Sequence, residues 1–117
     1  MIPTGVQIFI ALEPVDMRLG FERLGGLVRE RIGYEPRGGA LFLFVGRRRE
    51  TLKILFFDGT GMCVFAKRLD RGTFVLPEVV GDGVKHIEVD DAALESLLDG
   101  VEIAKPPTPR KPPRRVH

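Results

Sequence analysis

Three arginines stand in a row at Arg47, Arg48 and Arg49. A planar guanidinium group hydrogen-bonds two phosphate oxygens at once, so a cluster of this kind suits a polyanion. The apolar runs on either side place the arginines at the tip of a β-hairpin, and a two-stranded ribbon can enter a DNA groove. Adjacent like charges repel and call for a reason. The plainer account is a solvated tip that happens to carry arginine. Lys67, Arg68 and Arg71 lie at the far end of the next hairpin strand. Arg110, Lys111, Arg114 and Arg115 follow in the tail, where they could track a phosphate backbone or belong to an expendable linker. These residues form the candidate nucleic-acid-binding set.

Groups suited to catalysis are sparse. Catalytic sites need clustered nucleophiles, bases or ligands. Cys63 is the sole cysteine and alternates within an apolar strand, which reads as packing. His86 has no second ligand at a usable spacing, so no metal site and no cofactor is expected. Gly59 and Gly61 give a short GxG inside a hairpin, which is turn chemistry rather than a dinucleotide fingerprint. Asp16, Asp58 and Asp70 have the composition of a metal-binding acidic triad of the nuclease type, but all three occupy turn or cap positions that favour aspartate anyway. The expectation is a protein without catalytic residues.

The elements that must position the arginines follow from the pattern around them. Leu41–Val45 reads as a buried strand, and Gly46 with the three arginines as a turn. In the next strand Leu52, Ile54 and Phe56 alternate with Lys53, Leu55 and Phe57. Asp58–Gly61 is a hairpin turn and Met62–Leu69 a third strand, which completes a β-meander. Upstream, residues 6–12 read as a strand, and Asp16 is placed to cap a helix carrying Phe21, Leu24, Leu27, Val28 and Ile32 on one face. Gly25 and Gly26 within it imply either close approach to the sheet or a marginal helix. Downstream, Thr73–Leu76 reads as a short strand closed by Pro77. Residues 84–89 read as a strand of mixed polarity suited to an edge, and Asp90 and Asp91 cap a second helix that Gly100 ends.

Size and composition bound the rest. The 117 residues suit one α+β domain over 1–104: a mostly antiparallel sheet of about five or six strands with two helices. Residues 105–117 hold five prolines and five basic residues, the composition of a disordered arm. A single cysteine, no membrane-length apolar run and no secretory leader pattern favour the cytoplasm. Charge is segregated. Residues 18–71 carry 12 basic and 6 acidic side chains, whereas 72–104 carry one basic and 8 acidic ones. Either the basic block faces a polyanion and the acidic block another partner, or the two blocks face and neutralise each other.

Several motifs carry a resemblance. Residues 16–21 (DMRLGF), 41–49 (LFLFVGRRR), 53–61 (KILFFDGTG) and 63–77 (CVFAKRLDRGTFVLP) resemble the TnpB, or second-open-reading-frame-like, accessory proteins of the insertion sequence sixty-six group. The likeness runs over roughly residues 2–103. It matches that family's Asp-Met-Arg at 16–18, Gly-Arg-Arg at 46–48 and Phe-x-Lys-Arg-Leu at 65–69. It implies a protein encoded beside a larger transposase and needed for efficient transposition, and it carries over no catalytic residue. Family members often have tryptophan where this chain has Phe56 or Phe57, Leu76, and residues 101–103; this chain has none. The reading is therefore an accessory protein of DNA transposition that binds DNA, for instance the element ends, or the transposition complex through the basic tip. The alternative is an adaptor that binds only protein, such as the transposase, through its acidic surface.

Overall fold

The computed structural model describes residues 5–78, 81 and 83–100. Five strands, β1 (Ile8–Ala11), β2 (Leu41–Val45), β3 (Thr51–Phe57), β4 (Met62–Arg68) and β5 (His86–Val89), form one sheet in the order β4-β3-β2-β1-β5. Helix α1 (Phe21–Leu27) runs into a π-helical turn at Val28–Ile32, and α2 (Asp91–Leu98) follows β5.

β2 is buried at every position because both faces of the sheet are covered, which is why its sequence is unbroken apolar. On one face Leu41, Leu43 and Val45 join Ile8, Ile10, Leu52, Ile54 and Phe56 beneath Phe74, Leu76, Leu94 and Leu97. On the other, Phe42 and Phe44 join Phe9, Ala11 and Leu55 beneath Val15, Leu24, Val28 and Ile32. The alternation expected for β3 and β4 is observed. Leu52, Ile54, Phe56, Cys63 and Phe65 line the first face, and Leu55, Met62 and Val64 the second.

The meander β2-β3-β4 is antiparallel, with Phe42 opposite Leu55 and Ile54 opposite Phe65. β5 pairs antiparallel with β1 and forms an edge. The β1–β2 pair is parallel, with Ile8 opposite Leu41, and α1 lies in the connection between them. The fold is thus a mostly antiparallel α+β sheet with one parallel crossover at its centre.

Three local expectations need correction, and the two accounts of the α1 glycines are separated. Asp16 does not cap α1. The N-cap is Gly20, which has no side-chain hydrogen bond, and Asp16 closes a turn four residues earlier. Thr73–Leu76 forms no strand: Phe74 and Leu76 are buried over the first face, but only the Phe74 N–H reaches a strand connection, donating to the Arg49 carbonyl at 2.6 Å. The first strand is shorter than residues 6–12. The α1 glycines do not serve contact with the sheet, since a Cβ on Gly25 would meet only Pro36 at 3.5 Å and one on Gly26 would meet nothing. The marginal-helix account fits better, because within a turn the helix loosens to π geometry, with the Gly33 N–H donating to the Val28 carbonyl at 2.8 Å. As anticipated, the Asp90 Oδ1 caps α2, accepting from the Ala93 N–H at 2.8 Å, and Gly100 ends it at φ +80°.

Candidate nucleic-acid interface

The pairing scheme gathers separate parts of the chain at one end of the sheet. β1 and β2 are parallel and terminate there. β3 begins there, β4 ends there with Arg68 opposite Thr51, and β5 begins there with His86 opposite Ala11. Arg47, Arg48 and Arg49 form the β2–β3 turn and are all exposed. Backbone bonds tie the neighbouring segments to this turn: Val15 N–H to the Val45 carbonyl at 2.9 Å, Leu69 N–H to the Glu50 carbonyl at 2.9 Å, and Phe74 N–H to the Arg49 carbonyl at 2.6 Å. The three motif segments 16–18, 46–48 and 65–69 therefore converge.

Arg49 holds a left-handed backbone at φ +59°, the one non-glycine residue to do so among those described. That conformation is costly for a side chain with a Cβ. It is held here by the Arg49 N–H donating to the Gly46 carbonyl at 2.9 Å and by the bond from Phe74.

The charges of this end divide into paired and unpaired groups. Arg18 is forked against Asp16, with Nε donating to Oδ1 at 3.0 Å and Nη2 to Oδ2 at 2.7 Å. These bonds and the Arg18 N–H hold the Asp16 carboxyl down at about 2. Arg68 stands 4.0 Å from Glu50, and Arg31 stands 3.9 Å from Glu13. Arg47, Arg48, Arg49, Arg71 and Lys85 have no carboxylate partner among the described residues. Three of the basic participants, Arg18, Arg31 and Lys85, lie outside the sequence-based set. Lys85 falls at this end because its carbonyl accepts from the Leu12 N–H at 2.9 Å, a pairing that no local pattern announces.

Lys67 is diverted from the surface: it is half-buried, and its Nζ donates to the Leu98 carbonyl at 2.7 Å, at the C-terminus of α2. Arg110, Lys111, Arg114 and Arg115 lie outside the described residues. The Asp16, Asp58 and Asp70 triad is not assembled, because Asp58 sits in the β3–β4 turn at the opposite end of the sheet. Its Oδ1 accepts from the Thr60 and Gly61 N–H groups and the Thr60 hydroxyl, which holds that carboxyl at about 2. Among the described residues no group of three or more His, Cys, Asp or Glu side chains is arranged to hold a metal ion. Burial pushes the Cys63 thiol up, toward the unreactive form.

Among the described residues, no ion pair joins the acidic block to the basic one. Every ion pair among the described residues joins partners within residues 13–68. Asp90 and Asp91 lie at the end opposite the arginines, since Val89 pairs with Ile8 and the Asp91 Oδ2 accepts from the Gly5 N–H at 3.2 Å. No helix among the described residues is long and apolar enough to cross a membrane.

Comparison with known proteins places the chain among insertion-sequence proteins. The chain is 42% identical over 108 residues to the uncharacterized protein y4hO of Sinorhizobium fredii, covering 91% of each chain. It is 33% identical over 111 residues to the uncharacterized protein y4jC of the same organism, covering 95% of this chain and 91% of the relative. No solved structure matches it. The family model described as IS66 Orf2 like protein matches residues 6–108, and the chain belongs to that family of insertion-sequence proteins.

Proposed function

We propose that this chain is a non-catalytic accessory protein of transposition that binds DNA through the arginine end of its sheet and acts beside the element's transposase in the cytoplasm. The observation that carries the reading is the gathering of Arg47, Arg48, Arg49, Arg71 and Lys85, all exposed and without carboxylate partners among the described residues, at one end of the five-stranded sheet. Adjacent strands are spaced by about 4.8 Å, so these groups extend over roughly 20 Å from the β4 side to the β5 side. Such a row suits successive phosphates of a nucleic-acid backbone. Gly100, the last described residue, lies beside Leu69 at this same end.

A titration of the full chain against the element's terminal DNA, with and without transposase and at several salt concentrations, tests the reading. Phosphate contacts release counterions, so affinity should fall steeply as salt rises. The second reading, a protein-only adaptor, draws on Asp90 and Asp91 at the opposite end. It predicts no DNA binding at any salt and retention of the transposase by the chain.

A further inference from the structure

The two edges of the sheet differ in kind. β5 has four residues, follows glycines at 81 and 83 and the cationic Lys85, and carries His86 and Glu88. Short, charged edges resist pairing with other strands. β4 has seven residues and no proline or glycine, and from Met62 to Ala66 it has no charge. Its backbone parity can be derived. The Leu69 N–H donates to the Glu50 carbonyl and the Asp58 N–H to the Gly61 carbonyl, so the odd-numbered residues of β4 bond to β3. Met62, Val64, Ala66 and Arg68 then turn their N–H and C=O groups outward, and none of these groups has a backbone partner among the described residues. The side chains of Met62 and Val64 on one face, and Cys63 and Phe65 on the other, continue the two cores outward and remain half-buried at this edge.

We infer that β4 is the homodimer interface of this protein, pairing antiparallel with β4 of a second copy about an axis at Phe65. The segment MCVFAKR is self-complementary in that register. Met62 faces Arg68 of the other copy, Cys63 faces Lys67, Val64 faces Ala66, and the two Phe65 rings meet at the axis. The even residues fall in hydrogen-bonded pairs, so every outward N–H of each copy finds a carbonyl of the other. The charge pattern selects this orientation. Parallel pairing would set Lys67 and Arg68 against their own copies, whereas antiparallel pairing separates them and brings each cationic end beside the Asp58–Gly61 turn of the other copy. The chain's own residues 101–104 are the rival occupant. Only four residues precede Lys105 and the prolines, so at most two of them could face β4, against four from a second copy. In the dimer the two arginine ends point in opposite directions.

The test is the mass of the full chain by sedimentation equilibrium at micromolar concentration, beside Ala66→Pro and Ala66→Lys. Ala66 is exposed and its N–H faces away from β3, so proline there removes an intersubunit bond and none within the sheet. Lysine leaves the backbone intact and places like charges diagonally across the axis. The expected result is a parent of twice the chain mass and, in each variant, at least a tenfold weaker dimer with unchanged circular dichroism. Should the proline variant fail to fold, the lysine variant decides. A monomeric parent overturns the inference, as do variants that dimerise like the parent. Dimerisation that appears only after deletion of residues 101–117 also overturns it, because the chain's own segment then occupies the edge. None of these outcomes depends on whether the arginine end binds DNA.

Discussion

Met17 packs directly over Gly46, so closely that a Cβ at residue 46 would stand 2.8 Å from the Met17 Cγ. The contact joins the segment after β1 to the arginine turn, and it explains the glycine without any appeal to backbone conformation, since Gly46 is not among the left-handed glycines. Gly46→Ala should therefore destabilise the protein by about 1–3 kcal/mol through overpacking. Met17→Ala in the same chain should recover part of that loss. Urea unfolding of the two single variants and the double variant measures the coupling.

Arg49 offers a separation of binding from folding. Its left-handed backbone is one that glycine adopts without penalty. Arg49→Gly should leave stability unchanged or slightly raised, while DNA affinity falls. Replacing Arg47, Arg48 and Arg49 together by alanine should weaken binding further and flatten the dependence of log K on log salt by about 0.9 for each phosphate that is no longer neutralised. Equal affinities of parent and triple variant in a fluorescence titration would remove the arginine turn from any role in DNA binding.

The meander is legible because each of its parts is announced locally: unbroken apolar β2, a β3 whose Leu52, Ile54 and Phe56 fall on one face, and an Asp58–Gly61 turn in which Gly59 takes a positive φ. The parallel pairing of β1 with β2 is not, because Ile8 and Leu41 meet across a long crossover and neither sequence names the other. Phe74 and Leu76 show the limit of alternation. They are buried as a strand's residues would be, yet the segment crosses the face of the sheet rather than joining its edge, and the pattern of burial is the same in both cases. Asp16 failed for a related reason. Aspartate suits a helix cap and a tight turn equally, and only the position of Gly20 distinguishes them. The arginine turn itself was read directly, but its convergence with Arg18, Arg71 and Lys85 is a property of the strand order.

Asp58 should govern part of the acid limb of stability. Its carboxyl is held at about 2 in the folded chain, against 3.8 for the free group, by the Thr60 and Gly61 N–H groups. A folded value below the unfolded one means that the ionised form stabilises the fold above about pH 4, and that this contribution is lost as pH falls toward 2. Asp58→Asn keeps an oxygen acceptor for the turn but cannot titrate. The stability difference between parent and variant should thus shrink between pH 4 and pH 2 in acid-unfolding curves. A difference that stays constant across that interval would show that the turn bonds do not discriminate ionised from neutral carboxyl.

Asp16 separates a scaffold from a charge-dependent site. Its Oδ1 accepts from the Arg18 N–H at 2.9 Å, and its two oxygens hold the Arg18 guanidinium, whose side chain remains 90% exposed. Asparagine at this position retains an oxygen for the backbone bond and loses the fork. An exposed pair of this type contributes little to folding, so Asp16→Asn should melt close to the parent. Releasing Arg18 adds an unpaired cation to the arginine end, so affinity for DNA should stay equal or rise. In cells, transposition supported by Asp16→Asn should be near the parental level if the protein acts by binding alone. A collapse of transposition, with the purified variant folded and its DNA affinity intact, would instead assign the Asp16 carboxylate a role that binding does not provide, and the non-catalytic account would fail at that residue.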